Sequence, residues 1–209
     1  MENKTHSILV GSLLGDGWLN ELYQPTETAR YYLKCDDKAL GYLQWIRGQL
    51  RELSPSELKS KPDYSQHFFY TRARTDVGNL RKLFYPNEGQ KRVPPDISDF
   101  LINPLALAIW YQDDGTLDRR FKYHWNARIA TYCFPYEDCA LLKHALRQNF
   151  GIEVSVCRNQ MRGKVYYELY VLSKSMDCFI ETVRPHVHPN YAYKTSRLRK
   201  SRVTGQQER

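Results

Sequence analysis

The chemistry in this sequence starts at two aspartates. Asp16 stands in Gly15-Asp16-Gly17 and Asp114 in Asp113-Asp114-Gly115, 98 residues apart. Each closes an apolar run of helical character, Leu9-Val10-Gly11-Ser12-Leu13-Leu14 in one case and Leu107-Ala108-Ile109-Trp110-Tyr111-Gln112 in the other. A glycine behind such a run is a common left-handed residue at a helix C-terminus, so Gly17 and Gly115 are expected to end two helices with the acids in their last turns. Each carboxylate then faces the negative end of a helix dipole, at a cost of about 0.3–1 kcal/mol. If the helices pack side by side the charges also meet, and at about 4 Å in an effective dielectric of about 20 they repel by about 4 kcal/mol. A divalent cation held by the carboxylates reverses both effects. One Asp-Gly is an ordinary turn. Two in matching contexts favour a joint role.

The elements that must position these acids repeat in the same order. Strand-like alternation follows each run, at Ala29 to Cys35 and at Asn126 to Phe134, and leads into helices expected at Lys38 to Leu53 and Tyr136 to Phe150. Further strands are expected at Gln66 to Arg72 in the first half, and at Glu153 to Asn159 and Val165 to Leu172 in the second. A last helix closes each half: Thr75-Asp76 opens Val77 to Phe84, Ser173 opens Met176 to Val183, and Pro86 and Pro185 stop them. Each half therefore reads as helix, two strands, helix, two strands, helix. The division is 1–103, 104–194 and a tail of 195–209. Gly11 and Gly15, four apart, each weaken an isolated helix by about 1 kcal/mol, which makes sense where a neighbouring helix comes close.

The 209 residues, 42% apolar and 13% aromatic with 16 Tyr, are enough for a packed core and exclude a mostly disordered chain. A net charge of +8 makes a polyanion the first partner to consider. The segment from Lys194 to Arg209 holds +5 of it, so the remainder is only mildly basic. No run approaches the roughly 18 apolar residues of a membrane span, and no signal peptide is read at Ile8 to Leu14, which breaks at Gly15. The five cysteines are odd in number and lack zinc-site spacing, which fits a reducing, intracellular compartment. There is no nucleophile-elbow serine, paired Cys and His, or phosphate-cradling glycine loop. His186 and His188, without a Cys or acidic partner at suitable spacing, read as a turn or phosphate contact before a metal site. Cys133 and Cys139 read as strand core and helix surface.

The paired runs resemble the signature helices of the LAGLIDADG homing endonucleases in their single-chain, two-motif form. The Trp110-Tyr111-Gln112-Asp113-Asp114-Gly115 variant is similar to that of intron-encoded organellar enzymes. The resemblance extends to Lys91-Arg92-Val93-Pro94, Ser173-Lys174-Ser175-Met176-Asp177 and Pro189-Asn190-Tyr191-Ala192-Tyr193-Lys194. It implies an α+β fold, a pseudo-twofold duplicated αββαββα with two antiparallel sheets forming a DNA-binding saddle. It also implies a monomeric, site-specific double-strand DNA endonuclease using Mg²⁺, with Mn²⁺ as a substitute. Asp16 and Asp114 would ligate the metal, with Gly15 and Asp113 beside them. Lys91 and Lys194 match the basic residue of each half; read from the residues alone, they are equally consistent with surface solvation. Ile109 and Asp113 stand where the first motif has Gly11 and Gly15, so asymmetric helix contact and unequal cuts are expected. Intracellular localisation follows, with organelle and bacterial cytoplasm not separated. The same scaffold also serves RNA maturases, which assist splicing of group I introns by binding intron RNA, and a DNA-binding regulator is a third reading.

Alternation along the strands sends Leu33, Ile129, Thr131 and Cys133 to the core and leaves Arg30, Tyr32, Lys34, Arg128 and Tyr132 on the other face. Such a face can reach base edges. Arg72, Arg74, Arg158 and Arg162 are candidates to join it, each as a base reader or as a phosphate contact.

Overall fold

The computed structural model describes residues 1–87, 89–118 and 125–196. Two long helices sit at its centre. The first, α1 (Asn3–Leu14), is buried from Ser7 to Leu14, and α5 (Pro104–Asp114) from Leu105 to Gln112. Helices this apolar on all sides need partners all round. They find them in each other and in the two sheets that flank them. Asn103 caps α5, its side-chain oxygen accepting from the Leu105 N–H at 2.9 Å, and Pro104 opens the first turn.

The first half continues with β1 (Trp18–Leu19), β2 (Tyr31–Asp36), α2 (Leu40–Gln49), β3 (Lys59–Lys61), β4 (Gln66–Tyr70) and α3 (Thr75–Phe84). A short α4 (Ile97–Phe100) joins the halves. After α5 come β5 (Gly115–Asp118), β6 (Asn126–Ala130), α6 (Tyr136–Phe150), β7 (Val154–Met161), β8 (Lys164–Val171) and α7 (Met176–Val183). The strand orders are β1-β2-β4-β3 and β5-β6-β8-β7, all antiparallel, so each half has the same topology. This is the expected duplicated α+β architecture.

Pairing register divides each sheet into a helix-covered and an open side. Tyr31, Leu33 and Phe69 point inward in the first sheet, and Ala127, Ile129, Leu169, Val154 and Val171 in the second, each at most 2% exposed. Ser12 of α1 and Tyr31 of β2 share a buried hydroxyl hydrogen bond of 2.7 Å, which fixes helix to sheet.

Several expectations change. Neither Gly17 nor Gly115 is left-handed. Helix α1 stops at Leu14 and Gly115 is already extended (φ −82°, ψ 150°), because the chain passes directly into β1 and β5. Asp114 is thus the last residue of its helix, whereas Asp16 lies two residues beyond. The expected caps at Thr75 and Ser173 do not form; Asp76 instead accepts from the Val77 N–H at 2.9 Å. Cys133 is exposed and Cys139 buried, the reverse of the expected pair, since β6 ends at Ala130 and Cys139 sits on the inner face of α6. Among the described residues no helix is long and apolar enough to cross a membrane. Residues 197–209 of the basic tail lie outside the described residues.

Candidate active site at the junction of the halves

The approach of α1 and α5 is set by glycine. A Cβ at Gly11 would overlap the Ala106 carbonyl, and one at Gly15 would come within 2.6 Å of the Asp113 Cβ. With hydrogens there, the C-terminal ends of the two helices converge and bring the motif acids together. Asp113 bridges them: its Oδ2 accepts from the Asp16 N–H at 3.3 Å and its Oδ1 from the Tyr42 hydroxyl at 2.9 Å. Residues 97 apart in sequence thus share one hydrogen bond.

A lysine from each half reaches this cluster. Lys91 Nζ donates to the carbonyls of Gly15 (2.9 Å) and Gly17 (2.8 Å). Lys194, 8% exposed, donates from Nζ to the Gln112 carbonyl at 2.6 Å. Both ammoniums therefore satisfy carbonyls at the ends of the motifs, where helices leave acceptors without partners.

Burial, more than mutual charge, sets the electrostatics of the cluster. Burial, with the Asp16 charge second, pushes Asp114 up to about 7, against the pull of Lys91 and Lys194. Asp16 keeps a solvent-facing edge, yet its carboxyl is also raised, loss of water outweighing Lys91, Lys194 and Lys34. Asp113 is held well above the ordinary carboxylate range by burial and by Asp16. Burial lowers both lysines, while the surrounding acids oppose that shift. Acids that resist ionising beside lysines that resist protonation describe a buried site that penalises charge of either sign unless a group of opposite charge is bound there. That fits a divalent cation. Among the described residues no three His, Cys, Asp or Glu side chains form a ready metal cage. The oxygens gathered here are carboxylates and backbone carbonyls, ligand types that suit Mg²⁺.

The profile of the LAGLIDADG DNA endonuclease family matches residues 6–179. This chain belongs to that family. The cytochrome b mRNA maturase bI2 of Saccharomyces cerevisiae is 26% identical over 202 residues, covering 90% of this chain and 46% of the maturase. The chain thus spans about half the length of the curated relatives it matches. The homing endonuclease I-WcaI bound to its DNA recognition sequence superposes with a TM-score of 0.77 at 22% identity, covering 93% of this chain and 87% of that one. I-DmoI in complex with DNA and Mn gives 0.59 at 15% identity, covering 87% and 96%. These likenesses establish the homing-endonuclease fold.

The open faces of the two sheets carry the residues that alternation put there, but those residues are engaged differently in the two halves. In the first, Tyr32 stacks on Trp18 with ring centroids 4.2 Å apart, Arg30 lies over Tyr70, and Lys34 is exposed. Lys59 and Lys61 of β3 and Gln66, Phe68 and Tyr70 of β4 share this side by register. In the second sheet Arg128 is on the open side but held by Glu168 (3.2 Å) and Asp118 (3.8 Å), and the Tyr132 hydroxyl donates to Glu168 at 3.4 Å. Arg158 pairs with Tyr167, whose ring meets Tyr136 of α6, so it shares the helix-covered side with Val154 and Val156. Arg74 is bound through two hydrogen bonds by Asp76 (2.9 and 2.8 Å) and braces the start of α3. Arg72 is exposed just past β4, and Arg162 is exposed in the β7–β8 turn. Sequence reasoning missed Tyr42, Trp18, Lys59, Lys61, Gln66 and Tyr70. The even-residue alternation of β4 carried a signal for Gln66 and Tyr70; nothing local marked Tyr42.

Proposed function

We propose that the chain is a site-specific double-strand DNA endonuclease that depends on a divalent metal, Mg²⁺ with Mn²⁺ as a substitute, and that acts as a single chain carrying both halves. The observation that carries this reading is the meeting of Asp16 and Asp114 at the paired helix ends, with Lys91 and Lys194 delivered to the same spot. Asp16 and Asp114, with the carbonyls of Gly15 and Asp113 beside them, are the oxygens that would hold the metal, which supplies an activated water and neutralises the scissile phosphate and the leaving oxygen. Lys91 and Lys194 add positive charge where the transition state gathers negative charge. Arg30, Lys34, Lys59 and Lys61 supply phosphate neutralisation along the first sheet, and Gln66 has the fork that matches adenine in the major groove. Arg128, oriented by two acids, suits guanine.

The test is cleavage of a plasmid library of randomised sites with Mg²⁺ and with EDTA. Cutting confined to the Mg²⁺ arm is expected, and Asp16→Asn or Asp114→Asn should lower it by about 10²-fold or more while DNA affinity persists. Undiminished cutting by the double variant sinks the reading. The likeness to a cytochrome b mRNA maturase supports a second role, binding of intron RNA. A chain with that role alone would leave the plasmid supercoiled in both arms.

A further inference from the structure

The two lysines of the site are anchored by different means. Counting back 98 residues, the counterparts of Tyr111 and Gln112 are Leu13 and Leu14, apolar and fully buried. In the second half these two positions are polar and both hold the segment that ends in Lys194. The Tyr111 hydroxyl donates to the Lys194 carbonyl at 2.9 Å. Gln112 is wholly buried and uses both ends of its amide. Its Oε1 accepts from the His188 N–H at 2.6 Å, and its Nε2 donates to the carbonyls of Ala108 (2.9 Å) and His186 (3.5 Å). Its main-chain carbonyl receives the Lys194 ammonium, a contact that stays with the backbone whatever the side chain, so the tether is the amide's hold on His186 and His188 at the entrance to the Lys194 segment. A buried amide is costly unless every end is matched, so its presence here needs a reason that packing alone does not give. The residue it holds, His188, is the N-cap of Pro189–Lys194, a 3₁₀ stretch of six residues that ends in Lys194. Lys91 has no such tether from Leu13 or Leu14; its neighbour Arg92 is fixed by Asp138 of α6 instead, at 2.8 and 2.9 Å.

We propose that Gln112 is a positioning residue for Lys194, and that through it one strand cut can be slowed without the other. The inference rests on the endonuclease reading above. Because the tether exists only in the second half, loosening it displaces Lys194 and leaves Lys91 on its own carbonyls. Tyr111 acts in the same direction with one bond instead of several.

The experiment uses the full chain and a plasmid carrying a site recovered from the randomised library. Gln112→Leu, which copies the first half, is compared with wild type, Tyr111→Phe and Lys194→Met. Lys194→Met identifies the dependent strand by end-labelling. In Gln112→Leu the same strand should slow by about tenfold, the worth of one or two hydrogen bonds, so that nicked plasmid accumulates. The other strand keeps its rate. The His188 amide should exchange with deuterium faster by a similar factor, a readout independent of cutting. Both strands slowing together, neither slowing, or a His188 amide protected as in wild type overturns the inference. Should circular dichroism show Gln112→Leu unfolded, Tyr111→Phe decides: a smaller slowing of the same strand supports it and equal rates overturn it. Failure of the wild type to cut, or cutting undiminished by Asp16→Asn, removes the endonuclease reading. Cutting by a sound wild type without strand bias in the variants removes this inference alone.

Discussion

The two halves share a topology strand for strand but have reached their stability by different chemistry. Around the second motif the contacts are polar and reach across the molecule: Asp113 to Asp16 and Tyr42, Gln112 to His186 and His188, Tyr111 to Lys194. Around the first motif the helix side chains are mostly apolar, with Gly11 and Gly15 ceding room and Leu13 and Leu14 filling the core, and the polar contacts are fewer: Ser12 to Tyr31, and Lys91 to the Gly15 and Gly17 carbonyls. The open faces divide along the same line. The first presents aromatic rings and lysines, whereas Arg128 on the second is already engaged by Glu168 and Asp118. The lesson is that a repeat conserves the path of the backbone more strictly than the means of holding it.

The comparison breaks most sharply at Gly11. Gly11→Val forces side-chain carbon into the Ala106 carbonyl and should cost about 3 kcal/mol or more by overpacking, whereas Ile109→Val at the matching position should cost about 1 kcal/mol. Urea denaturation of the two variants checks this, and equal losses contradict an asymmetric interface. A smaller difference separates two basic residues. Lys34→Ala should lower the slope of log affinity against log salt by about one contact, while Arg74→Ala should leave that slope unchanged and lower the melting temperature, because Arg74 is spent on Asp76. A salt slope that moves with Arg74 and not with Lys34 reverses that assignment.

A further effect concerns pH. Asp114 has a folded pKa of about 7 against an ordinary 3.8, so the native state holds its proton more tightly than the unfolded chain does. The stability this group contributes is present below the ordinary value and is lost as pH rises towards 7. In EDTA the wild type should therefore lose melting temperature between pH 5 and pH 8 relative to Asp114→Asn, as a differential scan measures. Parallel curves for the two proteins would place the proton elsewhere.

Much of the fold was legible because periodicity survives translation into structure. Tyr136–Phe150 and Met176–Val183 fall where the apolar spacing places helices, since each buries one regular face. The short strands Trp18–Leu19 and Lys59–Lys61 were not legible, since two or three residues carry no period and their pairing is imposed by β2 and β4. At the site, the duplicated acids stood out by their spacing, whereas the lysines were singled out by the family resemblance and not by any local pattern. What they touch could not. Tyr42 reaches Asp113 across the junction of the halves, and no local pattern marks a residue whose partner is 71 positions away. The basic residues show the opposite failure: Arg74 looks free in sequence because the acid that holds it is fixed only by turn geometry, and the side of the sheet that Arg158 takes is fixed only by register.

The glycine at position 11 also restricts how the chain could have been assembled from its parts. A homodimer of the second half alone would set Ile109 against the Ala106 carbonyl, where the folded chain tolerates only a hydrogen. The second half is therefore a poor partner for its own copy, and a fragment carrying it alone should not associate as the whole chain folds, because only the first half offers the bare backbone that Ala106 needs.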